Sequence, residues 1–413
     1  MKKLSEELAW RGFVNQTTFQ DIKELDEQKR TFYFGVDPSA DSMHIGQLAM
    51  AMMIRHFIDF GYKPILLVGG ATGLIGDPDG KDSERQLKSV EEIEANKQGI
   101  LAQYKKLFAG TDITMVDNYD WFKNFNYLDF LRTIGKFVPM SQMLGRDFIQ
   151  TRLGVGGSGI SYAEFSYSLI QGYDFLHLFR NFEVSLQVCG SDQWGNSLAG
   201  VELIRKLENK EAHIWSAPLI INKSTGKKFG KSEAGAVWLD EKLTSVYRFY
   251  QFWLNVDDLG VEDYLKIYTL LSKSEISELM DEFKQNPGSR LAQKTLAFET
   301  TAIVHGQARA ESVRKITEVL FGSESYNNLN DSDFSELKKE LGEVHYNGQD
   351  ILDIMVESKL SSSRSEARKF LESGAVYVNG TKINTSTAID ESLFIGNNFI
   401  LRRGKNSQVV VQK

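Results

Sequence analysis

The sequence predicts an α/β protein that begins with a doubly wound parallel sheet and continues with a helical region and a small α+β tail. Two apolar runs, "TFYFGVD" (31–37) and "KPILLVGG" (63–70), are typical of buried strands. Between them, "HIGQLAMAMMIRHFIDFGY" (44–62) has helical periodicity. A strand, a helix and a strand joined by short links form a parallel pair with a helical crossover, which is the unit of doubly wound sheets.

The alternation of helix and strand continues along the chain. Residues 89–108 predict a long helix and "DITMVD" (112–117) a further strand. Helices predicted over 122–150 are apolar on more than one face, which favours contact with a second copy of the chain. We therefore expect a first domain at 1–235 with dimer-interface helices at about 122–160, a helical domain at 236–322, a linker at 323–346 and a C-terminal domain at 347–413.

Composition narrows the class of protein. The 413 residues carry a net charge of −7, which predicts no overall attraction to nucleic acid. The single cysteine, Cys189, excludes disulfides within the chain and clustered thiolate metal sites and favours a reducing compartment. The start of the chain lacks the apolar core of a signal peptide, and no apolar run approaches the roughly 18 residues of a membrane span. We therefore expect a cytoplasmic protein.

The stretch "DPSADSMHIGQL" (37–48) crowds polar groups at a junction between strand and helix. If the helix begins near Asp41 or Ser42, the unpaired N–H groups of its first turn would attract an anion. His44 and Gln47 are three apart and share one face of that turn. The stretch suits a polyphosphate, and an ordinary helix cap with a surface histidine is the alternative.

Two further segments suggest phosphate binding. "GGATGLIGDPDGKDSER" (69–85) follows the second strand and nearly matches a P-loop, but its glycine spacing is one residue short and Asp82 follows Lys81 where Ser or Thr is needed. "NKSTGKKFGKSE" (222–233) places four lysines around two glycines, and a solvated surface loop is its alternative explanation.

The order of "HIGQ" (44–47) and "KFGKS" (228–232) resembles the signature pair of the class I aminoacyl-tRNA synthetases. The blocks "YFGVDPSADSMHIGQ", "GGATGLIGDPDGK", "FSYSLIQGYDF" (165–175) and "CGSDQWGN" (189–196) narrow the resemblance to the bacterial tyrosyl-tRNA synthetases. The resemblance implies a Rossmann-like catalytic domain and tyrosine–tRNA ligase activity. It also implies a homodimer that binds L-tyrosine, tRNA(Tyr) and ATP with Mg²⁺, without a tightly bound cofactor or a metal site of its own.

In the implied reaction, the tyrosine carboxylate attacks the α-phosphate of ATP, pyrophosphate leaves, and tyrosine then passes to the 3′-terminal adenosine of tRNA. The carboxylate is already a nucleophile, so the protein must align the reactants and stabilise charge on the phosphates. A pocket that selects tyrosine over phenylalanine needs a buried group that pairs with the phenol, and Tyr33 and Asp174 suit this task.

The resemblance also implies the other site residues. Those for tyrosine are Tyr33, Asp77, Tyr167, Gln171 and Asp174. Those for ATP and the adenylate are Gly35, Asp37, Ser39, His44, Gly46, Gln47, Gly190, Asp192, Gln193, Lys228 and Lys231. Those for catalysis are His44, Gln47, Lys81, Arg85, Lys228 and Lys231. One polar helix face would also account for the spacing of Tyr167, Gln171 and Asp174.

The sequence departs from the family pattern at two positions. Gln47 stands where the first signature normally ends in a second histidine, and Phe34 stands where better-known members carry a cysteine. A glutamine amide still donates a hydrogen bond but cannot become cationic, and we expect activity to survive. The alternatives are a tryptophanyl-tRNA synthetase, a general nucleotidyltransferase and a non-catalytic synthetase-like RNA-binding protein. Gln47 is the one sequence feature that is compatible with the non-catalytic alternative.

The tail has its own charge and its own predicted partner. Residues 351–413 hold nine Lys and Arg against six Asp and Glu, in an otherwise acidic chain. "SSSRSEARKFLESGAVYVNGTKI" (361–383) predicts a helix and then a hairpin turning at Asn379–Gly380. It resembles the small RNA-binding domain at the C-terminus of bacterial tyrosyl-tRNA synthetases. We expect phosphate contacts from Arg364, Arg368, Lys369, Lys382 and "RRGK" (402–405), a solvated helix face being the alternative.

Overall fold

The computed structural model describes residues 2–78, 87–145, 147–232, 235–322, 324–404 and 407–413, and within these ranges the side chains of all but 142, 147, 148, 231 and 232. The chain forms two compact units. The first comprises Met1–Thr244 and Val256–Leu296, and the second Ser245–Asn255 and Ala297–Lys413. Among the described residues, no helix has both the length and the apolar character needed to span a membrane.

The strands are numbered in chain order. They are β1 Gln16–Thr17, β2 Thr31–Val36, β3 Lys63–Val68, β4 Thr114–Asp117, β5 Val184–Gly190, β6 His213–Ala217, β7 Lys231–Ser232, β8 Gly235–Ala236, β9 Glu343–His345, β10 Val376–Val378, β11 Thr381–Lys382, β12 Asn398–Arg403 and β13 Ser407–Gln412.

The helices are numbered in the same way. They are α1 Leu4–Arg11, α2 Ile45–Asp59, α3 Gly70–Ile75, α4 Val90–Leu107, α5 Tyr119–Phe122, α6 Tyr127–Thr133, α7 Met140–Leu144, α8 Asp147–Leu153, α9 Tyr162–Phe182, α10 Trp194–Glu208, α11 Val246–Leu254, α12 Val261–Tyr268, α13 Lys273–Gln285, α14 Leu291–His305, α15 Gln307–Phe321, α16 Asp331–Leu341, α17 Ile351–Glu357 and α18 Arg364–Glu372.

The sheet of the first unit has the strand order β1-β6-β5-β2-β3-β4. Only the edge strand β1 is antiparallel to its neighbour, and the other adjacent strands pair in parallel. The chain moves outward through β3 and β4 on one side of β2, and through β6 on the far side of β5. The strand order therefore reverses between β2 and β5, where open α/β sheets bind ligands at the carboxyl ends of their strands. The predicted doubly wound α/β fold is confirmed.

Helix α2 begins at Ile45, three or four residues later than the expected start near Asp41 or Ser42. His44 is the N-cap, with an extended backbone. The expectation was wrong because partners distant in sequence hold Met43, directly before the N-cap, outside the helix. The amide of Met43 donates to the Gln103 side chain (2.7 Å), and its carbonyl accepts from the Leu239 amide (2.8 Å).

The linker predicted at 323–346 contains regular structure, so that part of the prediction is corrected. Helix α16 and strand β9 occupy most of it. The polar start of the segment is a helix cap: Asn330 and Asp333 form a reciprocal capping box, and Phe334 and Leu337 are buried further along. The boundary between the two units also differs from the predicted domain boundaries at 235 and 322.

The second unit contains a five-stranded sheet of order β11-β10-β12-β13-β9, in which only β13 and β9 pair in parallel. The predicted helix of the tail is α18, and the predicted hairpin joins β10 to β11. Asn379 and Gly380 at its turn have φ angles of 45° and 78°. Positive φ at both central residues is the geometry of the tight hairpin turn that Asn-Gly favours.

Candidate active site

A cavity of about 440 Å³ opens at the carboxyl ends of β2 and β5, in the first unit. The structure brings most of the predicted small-molecule site residues together on its wall. They are Tyr33, Gly35, Asp37, Ser39, His44, Gly46, Gln47, Asp77, Tyr167, Gln171, Asp174, Gly190, Asp192, Gln193 and Lys228. Phe34, one of the two departures from the family pattern, also lines it.

Three predicted lysine and arginine positions are not placed on this wall. Lys81 and Arg85 lie outside the described residues. The backbone of Lys231 belongs to β7 and pairs with Ala236 of β8, but its side chain lies outside the described part of the structure.

A buried carboxylate lines the cavity. Asp174 lies on α9 with 1% of its surface exposed. Its two oxygens accept hydrogen bonds from Trp121 Nε1 (2.9 Å) and Asn118 Nδ2 (3.1 Å). Burial raises the pKa of Asp174 to about 8, although both hydrogen bonds favour the ionised form. Each oxygen has two acceptor positions, so the carboxylate can accept a further hydrogen bond from a ligand.

Tyr33 also lines the cavity, close enough to Asp174 for the two side chains to interact electrostatically. Its hydroxyl is buried, and no described residue forms a hydrogen bond with it. Burial, and secondly the charge of Asp174, raises the pKa of Tyr33, so the group remains a neutral hydroxyl. One hydroxyl and one carboxylate of this kind can receive a single phenol, which donates to Asp174 and accepts from Tyr33.

Two further carboxylates, those of Asp37 and Asp77, line the cavity. Asp37 accepts hydrogen bonds from Thr72 Oγ1 and Tyr167 OH, both at 2.7 Å. Asp77 accepts from Gln193 Nε2 at 2.6 Å. Burial is the main cause of the raised pKa of Tyr167, followed by the charges of Asp37 and Asp77. Two carboxylates in the same cavity would attract the ammonium group of an amino acid.

The helix start at His44 differs from the expected row of unpaired amides. The Ile45 amide donates to the carbonyl of Val237, and the Gly46 amide donates to His44 Nδ1, both at 3.0 Å. Gln47 Oε1 accepts from the His44 amide (3.0 Å), which completes a capping box. An anion would therefore bind here through side chains, and His44, whose Nδ1 already accepts a hydrogen bond, offers Nε2–H in its neutral form.

Four residues that shape the site were missed by sequence reasoning: Thr72, Asn118, Trp121 and Gln187. Asn118 links Asp174 to Thr72 Oγ1 through its amide (3.1 Å to each), and its own oxygen accepts from the Ala71 amide (2.7 Å). One signal could have revealed it. Asn118 directly follows the predicted strand 112–117, and polar residues at the carboxyl end of a parallel strand face the ligand crevice.

Comparison with known proteins decides the family. Residues 25–322 match the family model for "tRNA synthetases class I (W and Y)". The chain belongs to the class I tRNA synthetases. The predicted resemblance is thereby confirmed, and residues 333–411 of this synthetase also match the "Tyrosine--tRNA ligase SYY-like C-terminal domain".

Individual curated relatives of this class I synthetase are similar over nearly its whole length. A tyrosine–tRNA ligase of Pediococcus pentosaceus is 44% identical over 409 residues, which cover 97% of each chain. One of Limosilactobacillus fermentum is 41% identical over 418 residues, or 98% of each chain. Among solved structures, a C-terminally truncated mitochondrial tyrosyl-tRNA synthetase of Aspergillus nidulans has a TM-score of 0.71 and 32% identity, covering 78% of this chain and 95% of the other.

The basic residues predicted in the tail of this synthetase have different surroundings. Arg364 forms ion pairs with Asp350 (2.7 Å) and Asp353. Arg368, Lys369 and Lys382 are exposed. Further along, Arg402 lies 4.5 Å from the centroid of the Tyr377 ring and Arg403 lies 4.9 Å from that of Phe370, whereas Lys405 falls outside the described residues.

Proposed function

We propose that this synthetase activates L-tyrosine with ATP to form tyrosyl-adenylate and pyrophosphate, and then transfers tyrosine to the 3′-terminal adenosine of tRNA(Tyr). The observation that carries the proposal is the pair of buried groups, Tyr33 and Asp174, in the cavity wall. A site built to hydrogen-bond a hydroxyl rejects the analogue that lacks it, because its buried polar groups are then left unpaired. The tyrosine–tRNA ligases that are 41–44% identical to this chain support the same activity.

The bound tyrosine would lie with its phenol between Tyr33 and Asp174. Its ammonium group would lie near Asp77, Tyr167 and Gln171. Its carboxylate would then point to the strand ends, where Gly190, Asp192 and Gln193 line the wall. No protein nucleophile or general base is needed, because the substrate carboxylate attacks the α-phosphate directly.

The remaining wall would hold ATP. Asp37 and Gly35 suit the ribose side, and Ser39, His44 and Lys228 suit the phosphates. Charge increases on the departing pyrophosphate in the transition state, so positioned donors there would lower the barrier. Mg²⁺ would come with ATP, since it is usually held by substrate phosphates and few carboxylates. Lys81, Arg85 and Lys231 complete the proposed phosphate-binding set.

A second copy of the chain and tRNA are the proposed macromolecular partners. Large apolar side chains are exposed along one stretch of the first unit, in support of a homodimer. They include Tyr127, Leu128, Met140, Leu153, Val155 and Tyr162. For tRNA, the exposed Arg368, Lys369 and Lys382 support backbone phosphate contacts better than the paired Arg364 does. The single cysteine is buried in the cavity wall, in keeping with the proposed cytoplasmic location.

The first test is ATP–pyrophosphate exchange with tyrosine, phenylalanine and tryptophan offered in parallel. Exchange with tyrosine alone is the expected result, and aminoacylation of tRNA(Tyr) should follow. Exchange with tryptophan instead would contradict the proposed substrate. No exchange with any of the three in folded protein would favour a non-catalytic RNA-binding protein.

Two variants sharpen this test. Asp174→Ala should abolish measurable tyrosine binding by calorimetry, because it removes the acceptor of the phenol. Asp120→Ala is the matched control, since Asp120 lies in the adjoining segment with its side chain 69% exposed. Equal tyrosine binding in the two variants would refute the assigned role of Asp174.

A further inference from the structure

A buried polar junction lies beside the cavity, and none of its members is among the lining residues. Its centre is Ser42, which is 1% exposed. The Ser42 hydroxyl donates to the Met43 carbonyl (2.9 Å) and accepts from Gln103 Nε2 (2.9 Å) and from the Asp240 amide (3.2 Å). A serine hydroxyl has one donor and two acceptor positions, so all three are used.

The other end of the Gln103 side chain completes the junction. Gln103 Oε1 accepts from the Met43 amide at 2.7 Å, and the Met43 carbonyl also accepts from the Leu239 amide at 2.8 Å. Three segments distant in sequence therefore meet here: the loop before α2, helix α4, and residues 237–240. We call this group of Ser42, Met43, Gln103 and the amides of Leu239 and Asp240 the Ser42 junction.

One face of helix α4 packs against the loop that carries Asp37 and Ser39. Asn96 Nδ2 donates to the Pro38 carbonyl at 3.0 Å. Gly99 packs so closely that a Cβ atom there would lie 2.0 Å from the Asp41 carbonyl oxygen. Gln103 follows four residues later, on the same helix face. The helix begins at Val90, shortly after the segment that carries Lys81 and Arg85.

Next to the junction, backbone hydrogen bonds link the second signature motif to the first. The Ile45 amide donates to the Val237 carbonyl (3.0 Å), and the Val237 amide donates to the Gly230 carbonyl (3.1 Å). The Trp238 ring lies edge-on to His44, with 6.0 Å between centroids. The Leu239 and Asp240 amides that reach the junction directly continue this segment. The placement of His44 relative to Gly230 is therefore set partly by Ser42 and Gln103.

We propose that Ser42 and Gln103 are positioning residues for adenylate formation, which hold the two signature motifs and helix α4 in one arrangement around the phosphates of ATP. The inference rests on the proposed tyrosine activation. Catalysis by alignment is sensitive to small displacements of the aligned groups. The groups assigned to the phenol, Tyr33 and Asp174, lie on β2 and α9, so the tyrosine subsite is spared.

The test uses the full-length protein and measures two quantities in each variant. One is kcat/KM for ATP in pyrophosphate exchange at saturating tyrosine, and the other is the Kd for tyrosine by calorimetry. Gln103→Met should lower kcat/KM for ATP by about tenfold, which is the effect expected from the loss of buried hydrogen bonds. The Kd for tyrosine should change by less than about twofold. Gln98→Met is the matched control, because Gln98 is exposed on the same helix and bonds to Glu94.

Conservative and double variants separate positioning from simple loss of stability. Gln103→Glu keeps an acceptor for the Met43 amide and should recover part of the activity lost in Gln103→Met. Because Ser42 and Gln103 act through one junction, Ser42→Ala combined with Gln103→Met should lose no more than the more impaired single variant. If Gln103→Met does not fold, Ser42→Ala and Gln103→Glu provide the same comparison.

Three outcomes overturn the inference: parallel losses in ATP turnover and tyrosine binding, additive losses in the double variant, or equal activity of Gln103→Met and Gln98→Met. Exchange by the unmodified protein is measured in the same series. Its failure would refute the proposed function, whereas normal exchange with unaffected variants would refute only the role of the Ser42 junction.

Discussion

Replacing Tyr33 by phenylalanine should move stability and substrate binding in opposite directions. A buried hydroxyl without a partner costs about 1–3 kcal/mol, and Tyr33 OH has no partner among the described residues. Tyr33→Phe should therefore raise the free energy of unfolding of the ligand-free protein by about 1 kcal/mol. The same change removes one hydrogen bond to the bound phenol, worth about 0.5–1.5 kcal/mol, so tyrosine should bind about 2- to 12-fold more weakly.

Selectivity should fall as well. Phenylalanine leaves the Tyr33 hydroxyl unpaired in the parent protein but not in the variant, so its binding is not weakened by the change. Urea unfolding gives the stability, calorimetry gives the tyrosine affinity, and pyrophosphate exchange with both amino acids gives the selectivity. Each is a difference between parent and variant under the same conditions.

Tyr104 provides a matched control for this prediction. Its hydroxyl is also buried without a described partner, but it lies on α4 and outside the cavity lining. Tyr104→Phe should raise stability and leave tyrosine binding and selectivity unchanged. The reasoning is refuted if Tyr33→Phe destabilises the ligand-free protein, or if it leaves both affinity and selectivity at the parent values.

Three other expectations concern charge. The folded pKa of Asp174, about 8, lies above that of a free aspartate, so the stability of the parent protein should fall as pH rises from about 4 to 8. In urea unfolding, the free energy of unfolding of Asp174→Asn should increase relative to that of the parent by up to about 1.4 kcal/mol per pH unit over this range. Parallel pH curves for the two proteins would contradict this prediction. Arg152→Met leaves the buried Glu164 without its ion-pair partner (2.9 Å) and should cost about 3–5 kcal/mol in urea unfolding, partly recovered by adding Glu164→Gln. Arg368→Gln should weaken tRNA binding and reduce the slope of log affinity against log salt concentration by about 1. Arg364→Gln should have a smaller effect, because Arg364 is paired with Asp350. Equal slopes for the parent and Arg368→Gln would exclude a phosphate contact by Arg368.

The parallel sheet could be predicted because its signals are local. The strands at 31–37 and 63–70 are continuous apolar runs, as expected for strands covered on both faces, and the structure confirms both. The residues of the cavity wall could be proposed together because signature motifs follow parallel strands, whose carboxyl ends meet at one edge. Local sequence therefore determines which segments approach the ligand.

Long-range hydrogen bonds account for what the sequence did not show. Trp121 and Asn118 bond to Asp174 across 53 and 56 positions of the chain, and no spacing rule connects them. The start of α2 depends in the same way on Gln103, about 60 positions away. Propensity alone allows a helix from residue 41, and the tertiary contacts override it.

The geometry of Gln47 bears on the one sequence feature that favours a non-catalytic protein. In the structure, its side-chain oxygen accepts the amide hydrogen of His44, while His44 Nδ1 accepts that of Gly46. Glutamine is a regular residue at this position of a capping box, because its amide oxygen reaches the N-cap amide. Gln47 thus fixes the histidine that faces the cavity, and the second signature motif still carries its two lysines, Lys228 and Lys231. The departure changes how the helix start is held rather than removing the group that would meet the phosphates.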